Sequence, residues 1–178
     1  MKISFICPVY NKKKFLPKVL KGIFDQIGSF SKEYIFIDDG SNDGSLNELK
    51  KLTKNIKNIK ILYHKNKGPA FTTQKGINQS TGDYIKLVGG DDFLLPNCTS
   101  NLLNGIRKKK SVAIFSKFAL NDNFKYKKKW DINLLKNLKI INDPLPNTLL
   151  NCYSGTSPTL YCAKSIRKSK GCNTKLFV

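Results

Sequence analysis

Arginine is almost missing from this chain. Of 32 basic residues only Arg107 and Arg167 are arginines, against 12 acidic residues, so lysine carries the formal charge of +20. Phosphate and base recognition usually exploits the planar, bidentate guanidinium, whereas lysine is a solvated point charge. A nucleic-acid-binding face would also interleave arginines with aromatics. The lysines here are scattered instead, which excludes nucleic acid from the expected partners. Histidine is scarcer still, with His64 alone, so no histidine metal cage can be built and a Ser-His-Asp triad would have to use that one residue. The cysteines, Cys7, Cys98, Cys152, Cys162 and Cys172, are odd in number and form no CxxC pair, signalling neither a disulfide framework nor a zinc site. No hydrophobic run approaches a bilayer span, and "MKISFICPVY" has too short an apolar run before Pro8 for a secretory signal. The chain therefore reads as cytoplasmic.

What is present fits one α/β domain of 178 residues. Near-continuous apolar runs at "KISFICPV", "EYIFIDD", "IKILYH", "DYIKLV" and "SVAIFS" predict strands covered on both faces. Helical patterns lie between them. Phe15 to Ile27 repeat at the spacing of one helix face, with Pro17 in the first turn. Ser45 and Glu48 form an S-x-x-E capping box, Gly68-Pro69 opens a third helix, and Leu95 to Ile106 predicts a fourth. Strand alternating with helix implies an open twisted sheet with right-handed crossovers, whose ligands sit beyond the carboxyl ends of the strands.

Three polar clusters fall at such ends: "PVYN", "DDGSNDG" and "GGDD". Asp39, followed by Gly40, can accept hydrogen bonds from the imide of a uracil or the amino edge of a guanine. Asp38, Asn42 and Asp43 are read as turn caps. Asp91 and Asp92 offer hard oxygens suited to Mg²⁺ or Mn²⁺, and Gly89 and Gly90 leave room for phosphate and ribose. Lys86 interrupts a covered strand, where an unpaired ammonium is costly, so it is expected to reach an edge or a carboxylate.

Taken in order, "CPVYNKKKFL", "EYIFIDDGSNDGS" and "NKGPAFTTQKGINQSTGDYIKLVGGDDFLLP" resemble the family 2 glycosyltransferases, inverting enzymes that use nucleotide sugars. The resemblance implies a GT-A type, Rossmann-like, mostly parallel sheet flanked by helices, with residues 1–118 as the donor-binding part and 119–178 as a partial acceptor side. It places Pro8, Val9 and Tyr10 around the nucleobase, Asp39 on the base, Asp91 near the ribose, and Gly68 and the helix after it beside the diphosphate, with Asn11 and Gln74 also among the nucleotide-sugar-binding residues. Asp92 aligns with the ligand of Mn²⁺ or Mg²⁺. The implied partners are a nucleotide-diphospho-sugar, with UDP favoured, and a glycan or lipid-linked acceptor met at an anionic membrane surface by basic runs at 107–110 and 125–129. The implied setting is cell-surface polysaccharide biosynthesis.

Three positions depart from the family pattern. Gly89 replaces the first acid of "DSDD", Thr73 stands where arginine is common, and Gln74 stands where asparagine is common, leaving Lys67 or Lys75 to supply charge. The closing "KSKGCNTKLFV" resembles the segment that precedes the family's acidic pair, and Val178 comes before that pair. The general base is thus expected beyond Val178, with weak or no turnover by these residues alone. The alternative expectation is a non-catalytic nucleotide-sugar-binding module.

Overall fold

A computed structural model describes residues 1–115, 157–169 and 171–175. Strands β1 (Lys2–Val9), β2 (Ser31–Asp38), β3 (Ile59–Tyr63) and β4 (Tyr84–Leu87) pair in parallel, and β5 (Ala113–Phe115) and β6 (Thr159–Cys162) complete a six-stranded sheet in the order β3-β2-β1-β4-β6-β5. Helices α1 (Leu16–Phe24), α2 (Ser45–Thr53), α3 (Pro69–Gln79), α4 (Cys98–Lys109) and α5 (Ala163–Lys168) cover its two faces. Alternation along each strand assigns the layers. Ile3, Phe5, Cys7 and Val9 of β1 join Tyr34 and Phe36 beneath α1, α2 and α4, while Ile6, Ile35, Ile37, Ile85 and Leu87 meet Ile77 of α3 and Ala163 of α5.

All five expected strands form, and the sheet has a sixth that was not expected. The four residues "TLYC" of β6 insert between β4 and β5 and run antiparallel to both. The strand order reverses between β1 and β4, so the crevice beyond their carboxyl ends is a topological switch point.

Several local expectations need correction. Helix α1 stops at Phe24 with Asp25 as its C-cap, and Ile27 is exposed, its N–H donating to Pro96 O instead of extending the helix. Helix α4 begins three residues later than expected, because Pro96 separates Leu95 from the helical segment. Ser45 is the first residue of α2 and not its cap: its hydroxyl donates to Asp43 Oδ1, the oxygen that also accepts the Ser45 N–H. Asp43 therefore caps this turn as read, and takes the place of the capping box.

At the opposite end of the sheet, buried Glu33 accepts the Ser4 hydroxyl, the Thr81 N–H and the Thr81 hydroxyl, with Lys2 and Lys60 each 3.6 Å away. Burial alone would raise this carboxyl. The three hydrogen bonds and the Lys2 charge outweigh it and hold Glu33 below the usual carboxylate range.

Candidate functional site

A cavity of about 440 Å³ opens at the switch point. Pro8, Val9, Tyr10 and Lys12 line it from the β1 end, Asp39 from the β2 end, and Leu87, Val88, Gly89 and Gly90 from the β4 end. The start of α3 closes it with Asn66, Gly68, Pro69, Thr72 and Thr73. The tips of the first, second and fourth strands thus share one hollow.

Asp39 is buried, and its two oxygens accept the N–H groups of Lys67 at 2.8 Å and Gly68 at 3.0 Å. The His64 Nδ1 stands 3.2 Å from the same carboxylate. Asp39 therefore holds the loop entering α3 against the cavity. A carboxylate has about four acceptor sites, which leaves capacity for a ligand N–H. Gly68 takes φ 85°, a left-handed value that suits glycine, and Pro69 follows in the first turn of α3. The positive end of an 11-residue helix thereby lies at the cavity wall, where an anion is favoured.

Asp91 and Asp92 sit beside Gly89 and Gly90, just outside the lining residues. Asp91 pairs with Lys12 at 2.5 Å, across from β1. Asp92 Oδ2 accepts the hydroxyl of Ser157, which in turn accepts the Gly89 N–H at 2.7 Å. A Cβ at Gly89 would lie 2.5 Å from Asp92 Oδ2, so glycine here keeps the approach to that carboxylate open. Among the described residues no group of three or more His, Cys, Asp or Glu could hold a metal. The donor set that does exist is hard, anionic and open, and fits Mg²⁺ or Mn²⁺ completed by water and a ligand's phosphate oxygens.

Two expected site residues stand elsewhere. Gln74 turns away from the cavity: its amide N donates to Asn78 and its Oε1 accepts the Cys172 N–H, which ties α3 to the segment after α5. Asn11 bridges the loops after β1 and β2, donating its N–H to the Ser41 hydroxyl and accepting the Asn42 N–H. It lines a separate, shallower hollow with Lys13, Lys14, Pro17, Asp43 and Glu48. Neither Lys67 nor Lys75 lines the cavity, and Lys67 lies over the Phe71 ring.

The architecture and these motifs together agree with one family over most of the chain: the family described as Glycosyl transferase family 2 matches residues 4–162. The chain belongs to that family. The cholesterol galactosyltransferase of Borreliella burgdorferi is 32% identical to it over 117 residues, covering 66% of this chain and 32% of the relative. The solved structure of S. aureus TarS 1–349 in complex with UDP matches with a TM-score of 0.76 at 20% identity, over 99% of this chain and 51% of that one. The mannosyltransferase PcManGT of Pyrobaculum calidifontis, in complex with GDP-Man and Mn2+, matches with a TM-score of 0.70 at 13% identity, over 98% and 48%. These neighbours establish the fold as GT-A. The chain spans 14% to 48% of the length of the first curated relatives it matches.

In this family 2 chain the residues that sequence reasoning missed are those that act across the fold. Lys12 is one of three consecutive lysines and only the pairing of β1 with β4 shows which of them faces Asp91. His64 joins Asp39 through the β3 end. Among the described residues Lys86 reaches neither an edge nor a carboxylate: it is fully buried and donates to the carbonyls of Ser157 and Thr159. Ser157 directly follows residues 153–156, which fall outside the described residues, as do Cys152 and the lysines at 125–129.

Proposed function

We propose that this chain forms the donor-binding half of an enzyme that transfers a sugar from a nucleotide-diphospho-sugar to a glycan or lipid-linked acceptor with inversion. The observation that carries this reading is the cavity shared by the tips of β1, β2 and β4 and the start of α3. In it Pro8, Val9 and half-exposed Tyr10 pack the base, Asp39 accepts the imide N–H of a uracil, and Asp91 receives the ribose. Gly68 and the N-terminus of α3 flank the diphosphate. Asp92, with Asp91 beside it, would hold Mn²⁺ or Mg²⁺, which when bound supplies positive charge to the departing diphosphate. TarS, solved with UDP, and PcManGT, solved with GDP-Man and Mn2+, support a nucleotide donor and a divalent ion. The relative named for cholesterol supports a lipid acceptor.

In the transfer, the acceptor hydroxyl attacks the anomeric carbon opposite the diphosphate. The new C–O bond forms as the bond to phosphate breaks, and a base takes the hydroxyl proton. None of the three carboxylates at the cavity is given that last task, because Asp39 is bonded to loop amides, Asp91 to Lys12 and Asp92 to Ser157.

The test is thermal denaturation with UDP, with and without Mn²⁺. The melting temperature rises with UDP only when the ion is present, and the rise is lost in Asp92→Ala. A rise that ignores both the ion and Asp92 would refute the metal assignment. Donor binding without transfer or hydrolysis would favour the narrower function of a nucleotide-sugar-binding module.

A further inference from the structure

The proposed metal carboxylate is not left to orient itself. Asp92 is exposed, yet one of its oxygens is engaged by a residue 65 positions away. Ser157, only 7% exposed, has one hydroxyl proton. Its oxygen accepts the Gly89 N–H at 2.7 Å, so the lone pair facing the β4 end is taken and the proton points to Asp92 Oδ2. The backbone of Ser157 is held from below. Lys86, at 0% exposure, donates to the Ser157 carbonyl and to the Thr159 carbonyl at 3.2 Å. A buried ammonium whose hydrogen bonds, among the described residues, go to carbonyls is an unusual way to fill a core position, since burying a charge costs free energy unless it is well bonded. Here it fixes the residue that fixes Asp92.

We propose that Ser157 is a positioning residue for the divalent ion: it holds Asp92 Oδ2 by hydrogen bond, leaving Oδ1 free to ligate, and is itself anchored by Lys86. The inference rests on the reading of Asp92 as the ion's ligand. Among the described residues Oδ1 takes no hydrogen bond, so the two oxygens of one carboxylate are divided between orientation and coordination. Partners of this kind fix a ligand's direction, and their loss typically lowers metal affinity about 10- to 100-fold. Ser157 comes immediately before Pro158 and β6. The ion site is therefore assembled from both parts of the chain, the loop after β4 and the approach to β6.

The experiment titrates Mn²⁺ into the full chain with UDP, reading free Mn²⁺ by electron paramagnetic resonance, and records the metal-free melting temperature of each variant. Ser157→Ala is expected to weaken Mn²⁺ binding about 10- to 100-fold with little change in metal-free melting, and Ser157→Thr, which keeps the hydroxyl, to restore it. Asp92→Asn separates the two claims. If Asp92→Asn weakens binding and Ser157→Ala does not, the positioning role is overturned while the ligand assignment stands. If neither variant changes Mn²⁺ affinity, both fall. If Ser157→Ala loses its fold or its metal-free stability, or Ser157→Thr fails to rescue, the role is structural and the proposal is overturned.

Discussion

Lys86 and Glu33 put opposite charges into covered positions, and each leaves a different trace in stability. Burial pushes the Lys86 ammonium down to about 8 from an ordinary 10.5, although Cys98 and Asp92 lie close enough to favour its charged form. Between those two values the unfolded chain holds a proton that the folded one has released, so stability rises with pH through that window and is lost as pH falls through about 8. Cys7 works against this: burial raises its thiol far above the ordinary 9.0, and stability falls once the unfolded thiol ionises. Comparing wild type with Lys86→Met removes the common background. The difference in urea midpoint should move in favour of wild type from pH 8 to pH 10, and a flat difference would contradict a titrating Lys86. Glu33 has the same sign in a more acidic window. Its carboxyl is held low, so its contribution is present above the ordinary 4.5 and lost as pH falls below it. Glu33→Gln should lower stability at pH 7 by about 1.5–3 kcal/mol and flatten the acid limb of the stability profile, measured by denaturant unfolding at pH 7 and pH 4.

Helix α3 is the element on which the cavity wall depends. It lies directly on β1 and β2 at Gly76, where a Cβ would come 2.3 Å from the Ile6 side chain and 2.9 Å from Ile37. Gly76→Val should therefore cost about 1–3 kcal/mol by overpacking, seen as a lower urea midpoint, and should weaken UDP binding by displacing Gly68 and Thr72 at the same helix's start. Unchanged stability would mean that α3 can lift from the sheet freely. At this scale the strands and helix starts were legible wherever the signal was local. Five apolar runs announced β1 to β5, and Gly68-Pro69 announced α3, because only glycine readily takes φ 85° before a proline-opened helix. The misses have particular causes. "TLYC" is too short to show a period, and its strand identity comes from the neighbours β4 and β5. The capping box failed because Asp43, two residues ahead of Ser45, competes for the same N–H with a carboxylate. The positions of Asp39, Asp91 and Asp92 at strand ends beside the cavity were readable because motif and strand end coincide. Ser157, Lys12 and His64 were not, since each acts on a residue that only the folded sheet brings near.

For the molecule as a whole, the charge of +20 is spread over lysine side chains, and Arg107, Lys108 and Lys109 close the last turn of α4 as an exposed basic cluster. No helix among the described residues is long and apolar enough to cross a membrane. If the acceptor is lipid-linked, this charge should bring the chain to anionic bilayers, at about 1 kcal/mol per basic residue near the surface. Sedimentation with phosphatidylserine vesicles should then exceed that with phosphatidylcholine and decline with salt, whereas equal sedimentation would remove the membrane contact. The central claim, however, is the place of the donor. Paramagnetic broadening of backbone amide resonances by UDP with Mn²⁺ tests it most directly. Broadening centred on Gly89, Gly90 and Asp92, with UDP–Mg²⁺ shifting Tyr10, Asp39 and Gly68, is the predicted result. Broadening centred on the shallow hollow of Asn11, Lys14 and Glu48, or none at saturating UDP, would contradict it.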